Sequence, residues 1–217
     1  EIYYWSPFAS NVATITAVLN SAKSLQKYSN GKIKTTIINA LGEWNIFKDS
    51  LKKNNIKLFN LNKNKLLNDK KIEGFIQSRI IFIFIFLKCF FSLKKILIQN
   101  KPEYLVIHLL TSLPLFLYSI FKFETKLILR ISGLPKRNLI RKQFWKFTLK
   151  NVYKITCPTE ATKNDLIKLN ICEKEKIYVL HDPIIKISEV VKKKKDKIDD
   201  KFNYNYFISL VRLNKKK

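Results

Sequence analysis

Apolar runs of strand length alternate with segments of helical spacing along almost the whole of this chain. Ile2-Tyr3-Tyr4-Trp5 reads as a first strand and residues 6–11 as a polar turn. From 12 to 28, apolar residues recur at Val12, Ile15, Val18, Ala22 and Leu25, the spacing of an amphipathic helix. Residues 33–39 predict a β-branched strand, 46–53 a short helix and 56–59 a brief strand. Residues 60–71 are almost all Asn, Lys and Leu without a clean period, and predict a loop. Residues 73–99 predict a long helix, apolar on most faces in its middle. Such a helix is deeply buried or lies against a second hydrophobic body. Phe82, Phe86, Phe90 and Phe91 are its candidate membrane-facing patch.

The centre of the pattern is Pro102-Glu-Tyr-Leu-Val-Ile-His108, a helical segment opening at Ser112-Leu-Pro114, and Lys126-Leu-Ile-Leu-Arg-Ile-Ser-Gly133. Continuous apolar strands separated by a helix are the mark of a parallel βαβ unit. The Ser-x-Pro start also interrupts the uncharged stretch 104–121, which would otherwise approach the ~20 residues of a membrane span. The polar exceptions, His108 and the group Arg130, Ser132 and Gly133, fall at the strand ends. Open parallel sheets bind ligands outside those carboxyl ends.

A helix over 136–151, a strand over 152–157, a helix over 161–169 after Pro158-Thr159-Glu160, and a strand over 176–180 follow. The expected fold class is therefore α/β: a doubly wound, mostly parallel sheet of about seven strands, Rossmann-like. Composition then changes, with a run of charge over 190–201 and a new apolar strand over 204–210. The expected organisation is one Rossmann-like domain over 1–187, a charged linker over 188–203, and the start of a truncated second domain over 204–217. With no Met and an opening in mid-pattern, the chain reads as a fragment.

Charge changes the picture less than its size promises. The net charge is +26, but only five of the 42 basic residues are Arg. Lys, Asn and Ile are all encoded by AT-rich codons, and lysine is the residue normally left on solvated faces. Nucleic acid is therefore not the expected partner, and no interleaving of basic and aromatic residues supports one. An anionic membrane surface suits scattered lysines better. Cys89, Cys157 and Cys172 contain no Cys-x-x-Cys pair, which argues against a disulfide framework or zinc site and for a reducing, cytoplasmic setting.

Only four glycines occur (Gly31, Gly42, Gly74, Gly133), and none follows the first strand. That excludes the dinucleotide-binding and P-loop turns, and there is no Ser elbow or His-Glu-x-x-His. The segments 102–108, 126–133, Ile155-Thr-Cys-Pro-Thr-Glu160 and Lys176-Ile-Tyr-Val-Leu-His-Asp-Pro183 resemble, in that order, the N-terminal domain and approach to the hinge of family-4-like, retaining GT-B glycosyltransferases, and Phe207-Ile-Ser-Leu-Val-Arg212-Leu-Asn-Lys-Lys-Lys217 resembles the opening of their second domain. The resemblance implies transfer of a sugar, with retention, from a nucleotide-sugar to a saccharide or lipid-linked acceptor in surface-polysaccharide assembly. No metal and no cofactor beyond the nucleotide-sugar substrate are implied, and the location is cytoplasmic or peripheral on the inner face of the membrane.

By the same resemblance His108, Arg130 and Ser132 are the candidate catalytic residues, Ser132-Gly133 standing where the family often has His-Gly. Ser6, Ser10, Asn11, Gly133 and Glu160 are the candidate acceptor-binding residues, while Arg212 and Lys217 face the donor diphosphate. Arg130, in a strand otherwise buried, either pairs with a structural carboxylate or meets an anionic substrate group. Two other readings are a binding module without catalysis and a GT-B-shaped sugar-nucleotide epimerase.

Overall fold

Seven apolar runs pair into one sheet in which every described strand runs in the same direction. The computed structural model describes residues 1–8, 13–62, 75–134, 139–185 and 187–195. The strands are β1 (Ile2–Trp5), β2 (Thr35–Asn39), β3 (Lys57–Asn60), β4 (Tyr104–Ile107), β5 (Lys126–Arg130), β6 (Lys154–Cys157) and β7 (Ile177–Val179). Their order is β3-β2-β1-β4-β5-β6-β7, the Rossmann-like doubly wound arrangement that the alternation of strands and helices predicts.

The helices are α1 (Ala13–Tyr28), α2 (Lys48–Lys53), α3 (Phe75–Gln99), α4 (Ser112–Ile120), α5 (Leu139–Leu149), α6 (Glu160–Leu169) and α7 (Ile187–Lys193). Side chains alternate across a strand, so each strand serves two faces. Tyr3, Trp5, Leu105, Ile107, Leu127, Leu129, Ile155 and Cys157 point to the face covered by α3 to α6. Tyr4 and Ile37 point to the other face, where Ile15, Val18 and Ala22 of α1 and Leu51 of α2 cover them. This split follows from the strand order. Right-handed crossovers that run one way from β1 and the opposite way from β4 lay their helices on opposite faces.

Two expectations are corrected. The helix expected over 46–53 is a 3-10 turn, Glu43–Phe47, followed by α2. Gly42 adopts φ 101°, and the Glu43 carboxylate accepts the backbone N–H of Ala40 (3.0 Å) and Leu41 (2.8 Å), so the chain closes tightly after β2 before it can wind as α-helix. The outward row of α3 is also not the expected set of phenylalanines. Phe86 and Phe90 turn toward Phe116 of α4, with ring centroids 5.5 and 6.3 Å away, and Ile80, Ile83, Leu87 and Ile98 join Phe91 on the exposed side.

Residues Glu1–Ile184 form one compact unit, and residues 185–217 group apart from it, with α7 their described element. The strand expected over 204–210 and most of the loop expected over 60–71 lie outside the described residues. Among the described residues, no helix is long and apolar enough to cross a membrane.

Candidate functional site

The crevice at which strand order reverses lies between β1 and β4, and it is built from the residues that follow them. Trp5 is the register partner of Ile107, so Ser6 and His108 are the next residues out at the two carboxyl ends. The His108 N–H donates to the Trp5 carbonyl at 2.9 Å, which holds the two ends together. The next residue, Leu109, takes the left-handed conformation at φ 57°. For a branched residue this costs about 1–2 kcal/mol. Trp5 Nε1–H donates to the Leu110 carbonyl at 2.7 Å and pins that turn. Strained backbone at a strand end beside an open crevice is where a binding function is expected.

His108 is 3% exposed and lies 6.4 Å, centroid to centroid, from the Tyr4 ring. Burial, reinforced by the charge of Arg130, pushes its pKa down to about 3, so the imidazole is neutral at physiological pH. Its Nδ1 and the Oγ of fully buried Ser6 have no hydrogen-bond partner among the described residues. Leaving a buried polar atom unpaired costs about 1–3 kcal/mol. Two such uncharged polar atoms therefore stand unpaired at neighbouring strand ends; His108 lines the groove described next, and Ser6 does not.

A groove of about 620 Å³ leads away from His108. It runs along the α1 face of the sheet, from His108, Arg130 and Thr156 at the carboxyl ends to Tyr104, Ile33 and Tyr28 at the other end. Strand alternation explains its lining, because Tyr104, Val106, Ile128 and Thr156 are the residues that face away from the larger core. The groove is therefore apolar along its length and polar at its mouth.

Arg130 sits at that mouth with its guanidinium engaged. Its Nε and Nη2 donate to Asp182 Oδ1 at 2.8 and 2.5 Å, Nη2 donates to the Leu180 carbonyl at 2.5 Å, and Nη1 reaches Thr156 Oγ1 at 3.5 Å. Arg130 therefore spans from β5 across β6 to the end of β7, and the structure supplies it with a carboxylate. His181 Nδ1 lies 2.8 Å from the Pro158 carbonyl, so the segment after β7 is tied to β6 as well.

The other candidates are placed as follows. Ser132 and Gly133 are exposed beyond β5, and nothing around Gly133 requires glycine, since an added Cβ would meet open space. Glu160 is exposed in the first turn of α6, behind the Thr159 cap whose Oγ1 accepts the Thr162 N–H at 3.1 Å. Neither Ser132, Gly133 nor Glu160 lines the groove. Ser10, Asn11, Arg212 and Lys217 lie outside the described residues. Sequence reasoning saw His181-Asp182-Pro183 only as a turn and missed Asp182 as the partner of Arg130. The available signal was a carboxylate ending the strand two places from an otherwise buried arginine. It also missed Glu43, which is 4% exposed and whose pKa burial raises although backbone N–H groups oppose the shift.

Fold and crevice together define a doubly wound, Rossmann-like domain with a groove of about 620 Å³ opening at its switch point. Among solved structures, the UDP-GlcNAc 2-epimerase from Methanocaldococcus jannaschii is similar at a TM-score of 0.51 and 18% identity, over 84% of this chain and 45% of that one. This chain thus spans about half the length of that neighbour. No protein-family pattern and no curated protein sequence matches the chain.

Proposed function

We propose that this chain is the first half of a two-domain enzyme that acts on a nucleotide-sugar, and that within this class it is a glycosyltransferase. The observation that carries the reading is the pair of unpartnered buried atoms, Ser6 Oγ and His108 Nδ1, at the switch point of a GT-B-like sheet. Sugar hydroxyls both donate and accept, and a neutral imidazole beside a serine hydroxyl is matched to them. The five sequence segments that resemble retaining GT-B glycosyltransferases, the last at 207–217, support transfer. In that reading residues 1–187 hold a saccharide or lipid-linked acceptor, with Ser6, Ser10, Asn11, Gly133 and Glu160 around it. Residues 188–203 are a linker, and Arg212 and Lys217 at the start of the second domain bind the donor diphosphate. Cations aimed at the leaving diphosphate stabilise the charge that develops as the sugar–phosphate bond breaks. His108 contacts the reacting sugar, and Arg130 orders the mouth through Asp182, with Ser132 beyond it.

The second reading is a sugar-nucleotide epimerase, and the similarity to a UDP-GlcNAc 2-epimerase favours it. Incubating the full-length protein with a panel of nucleotide-sugars, with and without saccharide acceptors, separates the two. A transferase releases nucleotide in step with a glycosylated acceptor and keeps the anomeric configuration. An epimerase yields a new nucleotide-sugar, visible by proton NMR, with no acceptor present. His108→Ala should lower either turnover about 10–100-fold, the loss of one good buried hydrogen bond to substrate. Absence of both products across the panel overturns the proposal.

A further inference from the structure

On the α1 face the sheet is packed only on one side of its switch point. Among the described residues, the core there takes side chains from β1 to β4 and none from β5, β6 or β7. Strand alternation nevertheless turns Lys126 of β5, Lys154 of β6 and Tyr178 of β7 toward that open half, because Leu127, Ile155 and Ile177 face the larger core. At the amino-terminal edge they form a row with Tyr104 and Tyr153. The Lys126 ammonium lies 5.5 Å from the Tyr104 ring centroid and 5.3 Å from that of Tyr153. The Lys154 ammonium lies 5.5 Å from Tyr153 and 4.4 Å from Tyr178. The order across the sheet is therefore Tyr-Lys-Tyr-Lys-Tyr. Along the chain the five residues are scattered between 104 and 178, so no interleaving shows in the sequence; strand register assembles it.

Charge and ring spacing identify the partner. Strands β4 to β7 contain no Asp or Glu, and neither Lys126 nor Lys154 is in an ion pair among the described residues. Glu124, two places before Lys126, is held by Lys101 at 2.5 Å. Tyr153 and Tyr178 are 42 and 44% exposed, and the Tyr104 and Tyr153 rings stand 6.2 Å apart. A phosphate draws an ammonium off an exposed ring, since a charge-assisted pair is the stronger contact, and the freed ring face can then take a base. Three rings separated by two cations match three bases joined by two phosphodiesters. A neutral saccharide could stack on the tyrosines but would leave both cations unanswered, and a duplex keeps its bases stacked inside. We propose that this edge of the sheet is a platform for single-stranded nucleic acid, with bases on Tyr104, Tyr153 and Tyr178 and the phosphates between them on Lys126 and Lys154. Tyr104 and His108 are four residues apart on one strand, about 13 Å, so the platform lies clear of the crevice mouth. It requires no particular reaction there.

The test is fluorescence anisotropy of the full-length protein with a labelled eight-residue oligodeoxythymidine, titrated over a range of salt. Binding is expected to be tighter than to a duplex of the same length. Tyr153→Ala with Tyr178→Ala should weaken it about 30-fold or more, the loss of two stacked bases. Each phosphate contact on a single strand contributes about 0.7 to the slope of log affinity against log salt, so Lys126→Gln with Lys154→Gln should flatten that slope by about 1.4. Lys52→Gln with Lys53→Gln on α2 should stay within about two-fold of the parent and keep its slope. Circular dichroism should show an unchanged fold in every variant. The tyrosine and lysine pairs read stacking and charge separately, so either alone can overturn the inference by leaving its readout unaltered. Equal binding of the duplex, or an equal loss in the α2 variant, overturns it too. So does competition by oligogalacturonate as strong as by unlabelled oligonucleotide, since the row would then answer acidic saccharides.

Discussion

Asp182→Ala tests the physical reading of the crevice mouth most sharply. Arg130 is 6% exposed and gives Asp182 Oδ1 two N–H bonds, at 2.8 and 2.5 Å, while the Asp182 side chain keeps 21% exposure. Opposite charges about 4 Å apart are worth about 4 kcal/mol at an effective permittivity of about 20. Removing the carboxylate leaves the guanidinium buried with, among the described residues, the Leu180 carbonyl and a long contact to Thr156. Losing one partner of a buried pair costs about 3–5 kcal/mol, and Asp182→Ala should fall in that range. Arg130→Met should cost less, because it removes the buried charge and leaves a carboxylate that water already reaches. The double variant should cost clearly less than the two singles added together, since they act on one interaction. Urea denaturation of the parent, both single variants and the double variant measures all of this, provided the slopes agree. An Asp182→Ala cost below about 1 kcal/mol, or strict additivity, would refute the reasoning. Tighter nucleotide-sugar binding by Asp182→Ala, with little loss of stability, would return Arg130 to an anionic substrate group.

Acid titration examines His108. Its pKa falls from 6.5 to about 3 on folding, so between those values the unfolded chain binds more protons and stability drops as pH falls. The full window is worth roughly 5 kcal/mol, and His108→Gln should flatten the dependence of urea midpoint on pH below 6.5; an unchanged slope would show that His108 is not buried neutral. Glu43 has the opposite sign, its raised pKa making the folded state the better proton acceptor. At neutral pH Glu43→Ala should cost about 2–4 kcal/mol by stranding two N–H donors, whereas Glu43→Gln keeps one acceptor and should cost under about 1.5 kcal/mol. Thiol alkylation followed by mass spectrometry tests packing. Burial, with the Glu43 charge, pushes the Cys89 thiol up to about 12, and burial pushes Cys172 up to about 11. Cys89 should resist alkylation at pH 8 until the protein is unfolded. Finally, Leu109→Gly relieves a left-handed leucine and should raise stability by up to about 1 kcal/mol.

Much of the architecture was readable in order along the chain. Strands such as Leu105-Val-Ile107 and Leu127-Ile-Leu129 are apolar at consecutive positions, a pattern typical of parallel sheets, with one set of side chains in the larger core and Val106 and Ile128 lining the groove. The Thr159 cap and the acidic first turn marked the start of α6. The polar strand ends also stood out, and His108 does line the crevice. What could not be read was who answers whom. Arg130 and Asp182 are 52 residues apart, and only the neighbouring of β5, β6 and β7 brings them together. The phenylalanines of α3 misled for the same reason, because Phe116 of α4 turns two of them inward and leaves isoleucines outside.

The sequence by itself determined the succession of strands and helices, the parallel class of the sheet and the polar residues at the strand ends, of which His108 and Arg130 line the groove. These are short-range properties, written in periodicity, caps and turns that a few residues establish among themselves. Only the tertiary structure decided that Ser6 and His108 stand at neighbouring strand ends, that Arg130 spends its charge on Asp182, and which side of α3 faces outward. Those depend on strand order and on which helices pack together. Nearly equal local patterns are compatible with several arrangements, and burial of the whole sheet selects one.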